Sequence, residues 1–275
     1  MKTKIGIIGF GNMGSAIAQQ LKNDYEIQCF DKDFNKTKDL LGIKVSQSVK
    51  DLVNGVNVII IAVKPQDFSG ILEEIKKFIS LDKLIISIAA GISTSYIGEY
   101  LGMARVIRVM PNMPAKIGSG MTCLSKGSFA TQEDIDFAEN LFDYLGETLQ
   151  IGEELMNAAT AVSGSGPGFL CDLIDGKTLE EMKDFAENSF VPSLTASAIS
   201  LGFTPEQAKI LASVTSEGTI KIIEDTHASP KEIEKQVTSK NGTTEAGLKE
   251  LKHDFKNLDA AAKAAAKRAE ELSKG

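Results

Sequence analysis

Apolar residues follow two rhythms along this chain. In the first half they gather into short, nearly unbroken runs at 4–8, 25–30, 56–63 (VNVIIIAV) and 84–88 (LIISI), with a shorter run at 106–109. Runs rich in β-branched residues and separated by helical stretches predict a parallel sheet covered on both faces. One of those stretches, 67–78, sets Phe68, Ile71, Leu72, Ile75 and Phe78 on a single stripe, the spacing of an amphipathic crossover helix. Residues 15–21 and 133–144 also read as helix, and 121–124 as a weaker closing strand. After residue 152 no strand pattern remains. Helical spacing instead runs through 153–161, 168–174, 178–201, 205–224, 229–236, 243–252 and 258–272. Thr204-Pro205 is a helix start, a capping hydroxyl followed by proline in the first turn. The predicted plan is an α/β domain over 1–152 and an all-helical domain over 153–275. The cleft between two such domains is the expected place for a ligand.

The glycines of the first turn give the α/β domain a chemistry. Directly after the first strand stands Gly9-Phe10-Gly11-Asn12-Met13-Gly14, and a helix follows. Strand, Gly-x-Gly-x-x-Gly and helix together make the phosphate-binding unit of a Rossmann-type dinucleotide fold. Gly9 permits the tight turn, Gly11 lets backbone approach a pyrophosphate, and Gly14 lets helix and strand pack closely. The pyrophosphate rests over Asn12 and Met13, on N–H groups unpaired at a helix N-terminus. Asp31 ends the second strand, where a carboxylate accepts from the adenosine ribose hydroxyls and favours NADH. Lys32 and Lys36 beside it leave NADPH tolerated, since either can neutralise a 2′-phosphate.

Bulk properties narrow the class further. The 275 residues suffice for two cores, and 43% hydrophobic with 24% charged residues is ordinary for a soluble protein. A net charge of −7 argues against nucleic acid or an anionic membrane as partner. No apolar run approaches the ~20 residues of a membrane span, and an N-terminus that is itself a strand is poorly suited to be a cleaved signal. Cys29, Cys123 and Cys171 are odd in number and widely spaced, which suggests a reducing compartment, the cytoplasm, and no zinc site. His227 and His253, the two histidines, have no metal-like spacing to acids or thiols, so no metal is expected.

Further candidates lie at strand ends and in loops. Ala62-Val63-Lys64-Pro65 and Ala89-Ala90-Gly91 follow consecutive predicted strands, at the carboxyl ends where such sheets bind ligands. Val63 is placed against the nicotinamide–ribose end, and Lys64 to contact substrate or cofactor. Asn112, between two prolines in Arg108-Val109-Met110-Pro111-Asn112-Met113-Pro114, offers a buriable amide to cofactor or backbone. Ser163 and Ser165, in Val162-Ser163-Gly164-Ser165-Gly166-Pro167, put two hydroxyls between helices near the start of the second domain. The loop Val237-Thr238-Ser239-Lys240-Asn241-Gly242-Thr243-Thr244 places hydroxyls and flexible backbone just before a helix, whose first N–H groups suit a carboxylate. No base poised near neutral pH accompanies these groups, which points to reduction of something already electrophilic, such as a protonated imine.

GFGNMGSAI, AVKPQ, AAGIS, RVIRVMPNMPA, AVSGSGP and VTSKNGTTEAGL, in this order across nearly the whole chain, resemble the pyrroline-5-carboxylate reductase family. That resemblance implies a nucleotide domain for NADPH or NADH and a helical domain forming an interlocked homodimer that often assembles into a ring of dimers. It implies reduction of the cyclic imine 1-pyrroline-5-carboxylate to L-proline. Ser239, Asn241, Gly242, Thr243 and Thr244 then belong to the substrate-carboxylate loop with Ser163 and Ser165 nearby, and Thr244 holds the ring nitrogen. Three departures stand out. The usual Ser-Pro-Gly-Gly-Thr-Thr is here Ser239-Lys240-Asn241-Gly242-Thr243-Thr244, Gly168-Phe169 replaces Ala-Tyr, and 166–202 is longer than the family's first helical crossover. They leave room for a different cyclic imine. The alternatives are a β-hydroxyacid dehydrogenase, which wants a poised lysine in the helical domain, and a non-catalytic nucleotide sensor on the same fold.

Overall fold

A computed structural model describes residues 2–274, so Met1 and Gly275, the outer ends of the two expected domains, lie outside the described residues. The sheet has eight strands: β1 (Lys4–Ile8), β2 (Glu26–Phe30), β3 (Lys44–Val45), β4 (Val58–Ile61), β5 (Leu84–Ser87), β6 (Arg105–Pro111), β7 (Gly120–Lys126) and β8 (Gly146–Gln150). Their spatial order is β3-β2-β1-β4-β5-β6-β7-β8. β1 pairs in parallel with both β2 and β4, so the chain reverses direction across the sheet beside β1. In this doubly wound order the ligand crevice opens at the carboxyl ends of the strands flanking that switch. Helices α1 (Asn12–Leu21), α2 (Val49–Gly55), α3 (Pro65–Lys76), α4 (Thr94–Tyr100) and α5 (Gln132–Phe142) connect the strands.

The composition of β4 explains its place. Val58, Ile59, Ile60 and Ile61 are all buried, and β4 is paired on both edges, with β1 and β5. Each such side chain contributes about 1.5–3 kcal/mol on burial, and branching at Cβ suits the pleat. α3 begins at Pro65, free of the need for an N–H partner at its first turn. Its Phe68, Leu72 and Ile75 are buried, as the apolar stripe predicts. α5 is closed by a capping box between Thr131 and Asp134, and the Asp134 carboxylate also takes Arg105 Nη1 at 2.8 Å.

The helical part comprises α6 (Met156–Ala159), α7 (Gly166–Ile174), α8 (Leu179–Phe185), α9 (Val191–Ser200), α10 (Pro205–Thr226), α11 (Pro230–Val237), α12 (Thr243–Leu251) and α13 (Leu258–Lys274). A π-helical turn, Thr160–Gly164, joins α6 to α7, and a second, Ala186–Phe190, joins α8 to α9. The long periodic stretch 178–201 is therefore two helices with a widened turn between them. No strand follows β8 among the described residues.

The chain divides into two compact units, one of 1–109 with 124–144 and the other of 110–123 with 145–275. The expected boundary after residue 152 differs from this division. Met121, Cys123 and Ile151 belong to the helical core, with Met110, Met113 and Ile117 packed against it. Gly218 of α10 explains the close fit of 113–119: a Cβ there would stand 2.9 Å from Pro114 Cβ.

Candidate functional site

In the first unit, two of the three glycines of the turn have a reason within the fold to lack a side chain. Gly9 has φ +96°, and a Cβ there would stand 2.6 Å from the Ala62 carbonyl oxygen. A Cβ on Gly14 would run into the Gly9 carbonyl oxygen. On Gly11 it would meet nothing within 4 Å. α1 starts at Asn12, earlier than its periodicity indicates, so Asn12, Met13 and Gly14 form its first turn. No acceptor among the described residues takes their main-chain N–H groups. The first intrahelical bond is Ser15 N to Gly11 O at 2.9 Å.

Asp31 reaches back to this turn. Its Oδ2 accepts from Phe10 N at 2.7 Å and its Oδ1 from Asp33 N at 2.9 Å, with Lys36 Nζ at 3.4 Å. Burial pushes the carboxyl up, but the two amides and the Lys36 ammonium outweigh it and hold Asp31 below the usual carboxylate range. Lys32 instead pairs with Asp67 of α3 at 2.6 Å, and that hydrogen bond raises its ammonium. A cavity of about 630 Å³ runs beside these groups. Gly9, Gly11, Asp31, Lys32, Ala62, Val63 and Lys64 line it together. Asn12, Met13, Gly14, Pro65, Ala90, Gly91 and Asn112 do not. Gly91 is a left-handed turn residue with φ +76°, and the Asn112 Oδ1 accepts from Met121 N at 2.9 Å, tying β6 to β7. The Asn112 Nδ2 is buried without a partner.

In the second unit, α12 and α7 bring three hydroxyls into one chain. Thr244 Oγ1 donates to Ser165 Oγ at 3.2 Å, and Ser165 Oγ donates to Thr243 Oγ1 at 3.1 Å. Thr244 and Ser165 are buried, while Thr243 is half-buried. The amides of Thr243, Thr244 and Glu245 open α12, and no acceptor among the described residues occupies them. The predicted substrate residues separate here. Ser163 lies inside the π-helical turn and donates to Ala159 O at 3.0 Å, so its hydroxyl is used within its own helix. The stretch expected as an interhelix turn is thus a continuation of helix. Asn241, at φ +58°, donates its N–H to Glu245 Oε2 at 2.9 Å, and its carbonyl accepts from Arg268 Nε of α13 at 2.9 Å. Ser239 and Lys240 are exposed, and Gly242 closes a turn by donating to Ser239 O at 2.9 Å.

Residues 4–91 match the family model described as NADP oxidoreductase, coenzyme F420-dependent, and 188–272 match that for pyrroline-5-carboxylate reductase dimerisation. The pyrroline-5-carboxylate reductase of Methanosarcina acetivorans is 37% identical over 90% of this chain and 89% of its own. This chain belongs to the pyrroline-5-carboxylate reductase family. Two solved structures of such reductases are similar over nearly their full length. That from Coxiella burnetii has TM-score 0.66 and 29% identity, covering 100% of both chains. That from Plasmodium falciparum, with NADP bound, has TM-score 0.63 and 25% identity, covering 98% of both.

A dinucleotide fits this reductase-family chain on its own geometry. Gly11 leaves open space, three α1 amides lack acceptors, and the cavity beside them carries Asp31 and Lys36. Sequence reading missed the α3 wall of that cavity, Gln66, Asp67, Gly70, Ile71 and Glu74. These residues recur at three- and four-residue spacing beside the apolar stripe of α3 and share only Ile71 with it. In the second unit, burial pushes the Lys116 ammonium pKa down, and its Nζ donates to Gln236 Oε1 at 3.2 Å. Among the described residues no cluster of three or more His, Cys, Asp or Glu could hold a metal ion, and no helix is long and apolar enough to cross a membrane.

Proposed function

We propose that this chain reduces 1-pyrroline-5-carboxylate to L-proline with NAD(P)H, the last step of proline biosynthesis. The observation that carries the reading is the hydroxyl chain Thr244–Ser165–Thr243 at the open start of α12. The amides of Thr243, Thr244 and Glu245 receive the substrate carboxylate, aided by the dipole of a nine-residue helix. Thr244 Oγ1 accepts the iminium N–H. A bound nicotinamide supplies the hydride for the imine carbon, and the C=N π pair becomes a nitrogen lone pair. The ring nitrogen of the product then takes its second proton from water. No side chain of tuned acidity is needed, since the iminium is already electrophilic.

Lys64 lines the nucleotide cavity at the start of α3, exposed, and serves as a cation near the cofactor. Asp31 favours NADH, while Lys36 beside it supports use of NADPH, the form whose oxidised partner NADP occupies the Plasmodium relative. The protein works as a homodimer, a reading supported by the dimerisation match over 188–272. A cytoplasmic site agrees with three buried, unpaired cysteines.

Consumption of NADH or NADPH with racemic pyrroline-5-carboxylate tests the reading. Absorbance of the reduced nicotinamide is expected to fall only after imine is added. Nucleotide binding without turnover would leave a sensor on the same fold.

A further inference from the structure

The hydroxyl chain has a direction. A hydroxyl carries one proton and two lone pairs. Thr244 spends its proton on Ser165 at 3.2 Å, so toward any other group it is an acceptor. Ser165 spends its own on Thr243 at 3.1 Å. Thr243 accepts from Ser165 and, among the described residues, has no acceptor for its own proton. An iminium nitrogen has an N–H and no lone pair, and a carboxylate has lone pairs and no proton. The two ends of the chain therefore match the two charged ends of a cyclic iminium carboxylate. Both substrate charges polarise the chain in the same sense. The other γ-substituent of Thr244 is also held. Gly168 stands three residues from Ser165 on α7, and a Cβ there would lie 2.6 Å from Thr244 Cγ2. The methyl thus occupies the space over Gly168 while the hydroxyl meets Ser165, which fixes a side chain stiff at χ1.

We propose that Ser165 is a positioning residue for imine reduction. By taking the Thr244 proton it holds Thr244 Oγ1 as acceptor for the iminium N–H. This rests on the reductase reading above. A double-mutant cycle tests it, with kcat/KM for pyrroline-5-carboxylate, the Kd for NADH and Tm measured throughout. Ser165→Ala is expected to lower kcat/KM about tenfold when Thr244 is present and less than about twofold in Thr244→Ala. In Thr244→Ser, which keeps the hydroxyl, sensitivity to Ser165→Ala should return. The Kd for NADH should stay within about twofold in all variants, which also reports a folded chain. A helix-packing role would instead make the two losses multiply, and that result overturns the proposal. Full activity of Ser165→Ala overturns it as well. A wild-type chain that binds NADH but reduces no imine sinks the reductase reading itself, and a silent Thr244→Ala in an active enzyme sinks the nitrogen contact.

Discussion

Gly11 and Asp31 both line the cavity of the first unit, and the roles proposed for them are separable, one by absence of atoms and one by charge. A Cβ on Gly11 meets nothing within 4 Å, unlike one on Gly9 or Gly14, so only a bound ligand would object to a side chain there. Gly11→Val is expected to fold with a Tm near wild type and to lose NADH affinity by on the order of 100-fold, read by titration of the purified variant. Wild-type affinity would mean that the pyrophosphate lies elsewhere. Asp31 is held below its usual range by Phe10 N, Asp33 N and Lys36 against the effect of burial. Asp31→Ser should therefore raise the NADPH-to-NADH ratio of kcat/KM, by about tenfold, as a carboxylate near the 2′ position is lost. It should also cost stability with a definite pH dependence. A folded-state pKa below the unfolded one stabilises above the unfolded value and loses that contribution as pH falls through the folded value. The Tm gap between variant and wild type is thus largest near neutrality and closes in acid. An unchanged cofactor ratio would assign the preference to Lys36. The glycine pattern made this region legible in the sequence, because Gly9 and Gly14 answer to local backbone geometry and fix where Gly11 stands. Asp31's contact with Phe10 N was not legible, since it joins residues 21 positions apart across two strand ends.

At the scale of elements, the hydroxyl-rich start of α12 was legible in the sequence but not which of its groups face the same way. The run VTSKNGTT announces hydroxyls before a helix, yet which groups face the same way depends on a turn at Asn241 with φ +58°. That turn sends Asn241 toward Glu245 and Arg268, and leaves Thr243 and Thr244 to meet Ser165. Ser163 and Ser165 looked equivalent in sequence, and the π-helical turn separates them. Its extra residue per turn puts Ser163 against Ala159 O and Ser165 against α12. A π-turn leaves no compositional mark, so strand runs such as VIII in β4 are read far more easily than this helix. The loop still yields a sharp comparison. Thr244→Ala should lower kcat/KM for the imine by roughly 10- to 150-fold with little change in Kd for NADH, the worth of a hydrogen bond to a charged group. Lys240→Ala should cost less, because Lys240 is exposed and the carboxylate is proposed to rest on main-chain N–H groups. A silent Thr244→Ala beside a crippling Lys240→Ala would move the site toward lysine chemistry of the hydroxyacid dehydrogenase kind.

For the whole molecule, the dimerisation match falls wholly within one unit, the helical one. The first has a core of its own between sheet and helices, with Ile59, Ile61, Ile85 and Phe68 fully or almost fully buried. The helical unit has its own core too, and its 188–272 segment, which includes the 44% exposed Ile199 of α9, matches a dimerisation family. A net charge of −7 on each chain keeps copies soluble without preventing an apolar helix face from pairing. The expected species is therefore a dimer or a closed multiple of dimers, with a sedimentation mass of at least twice 29.5 kDa. Because dimer dissociation and unfolding are linked by mass action, Tm should rise with protein concentration, on the order of one degree per tenfold for a pair of chains this long. Saturating NADH should raise Tm independently of protein concentration, since each copy carries its own glycine turn. Placing a charge on the exposed face, as in Ile199→Asp, separates the effects. It should weaken the dimer, if α9 lies in the interface, while leaving NADH affinity intact. A fully active monomer at every concentration would show instead that the helical unit completes its site from one chain.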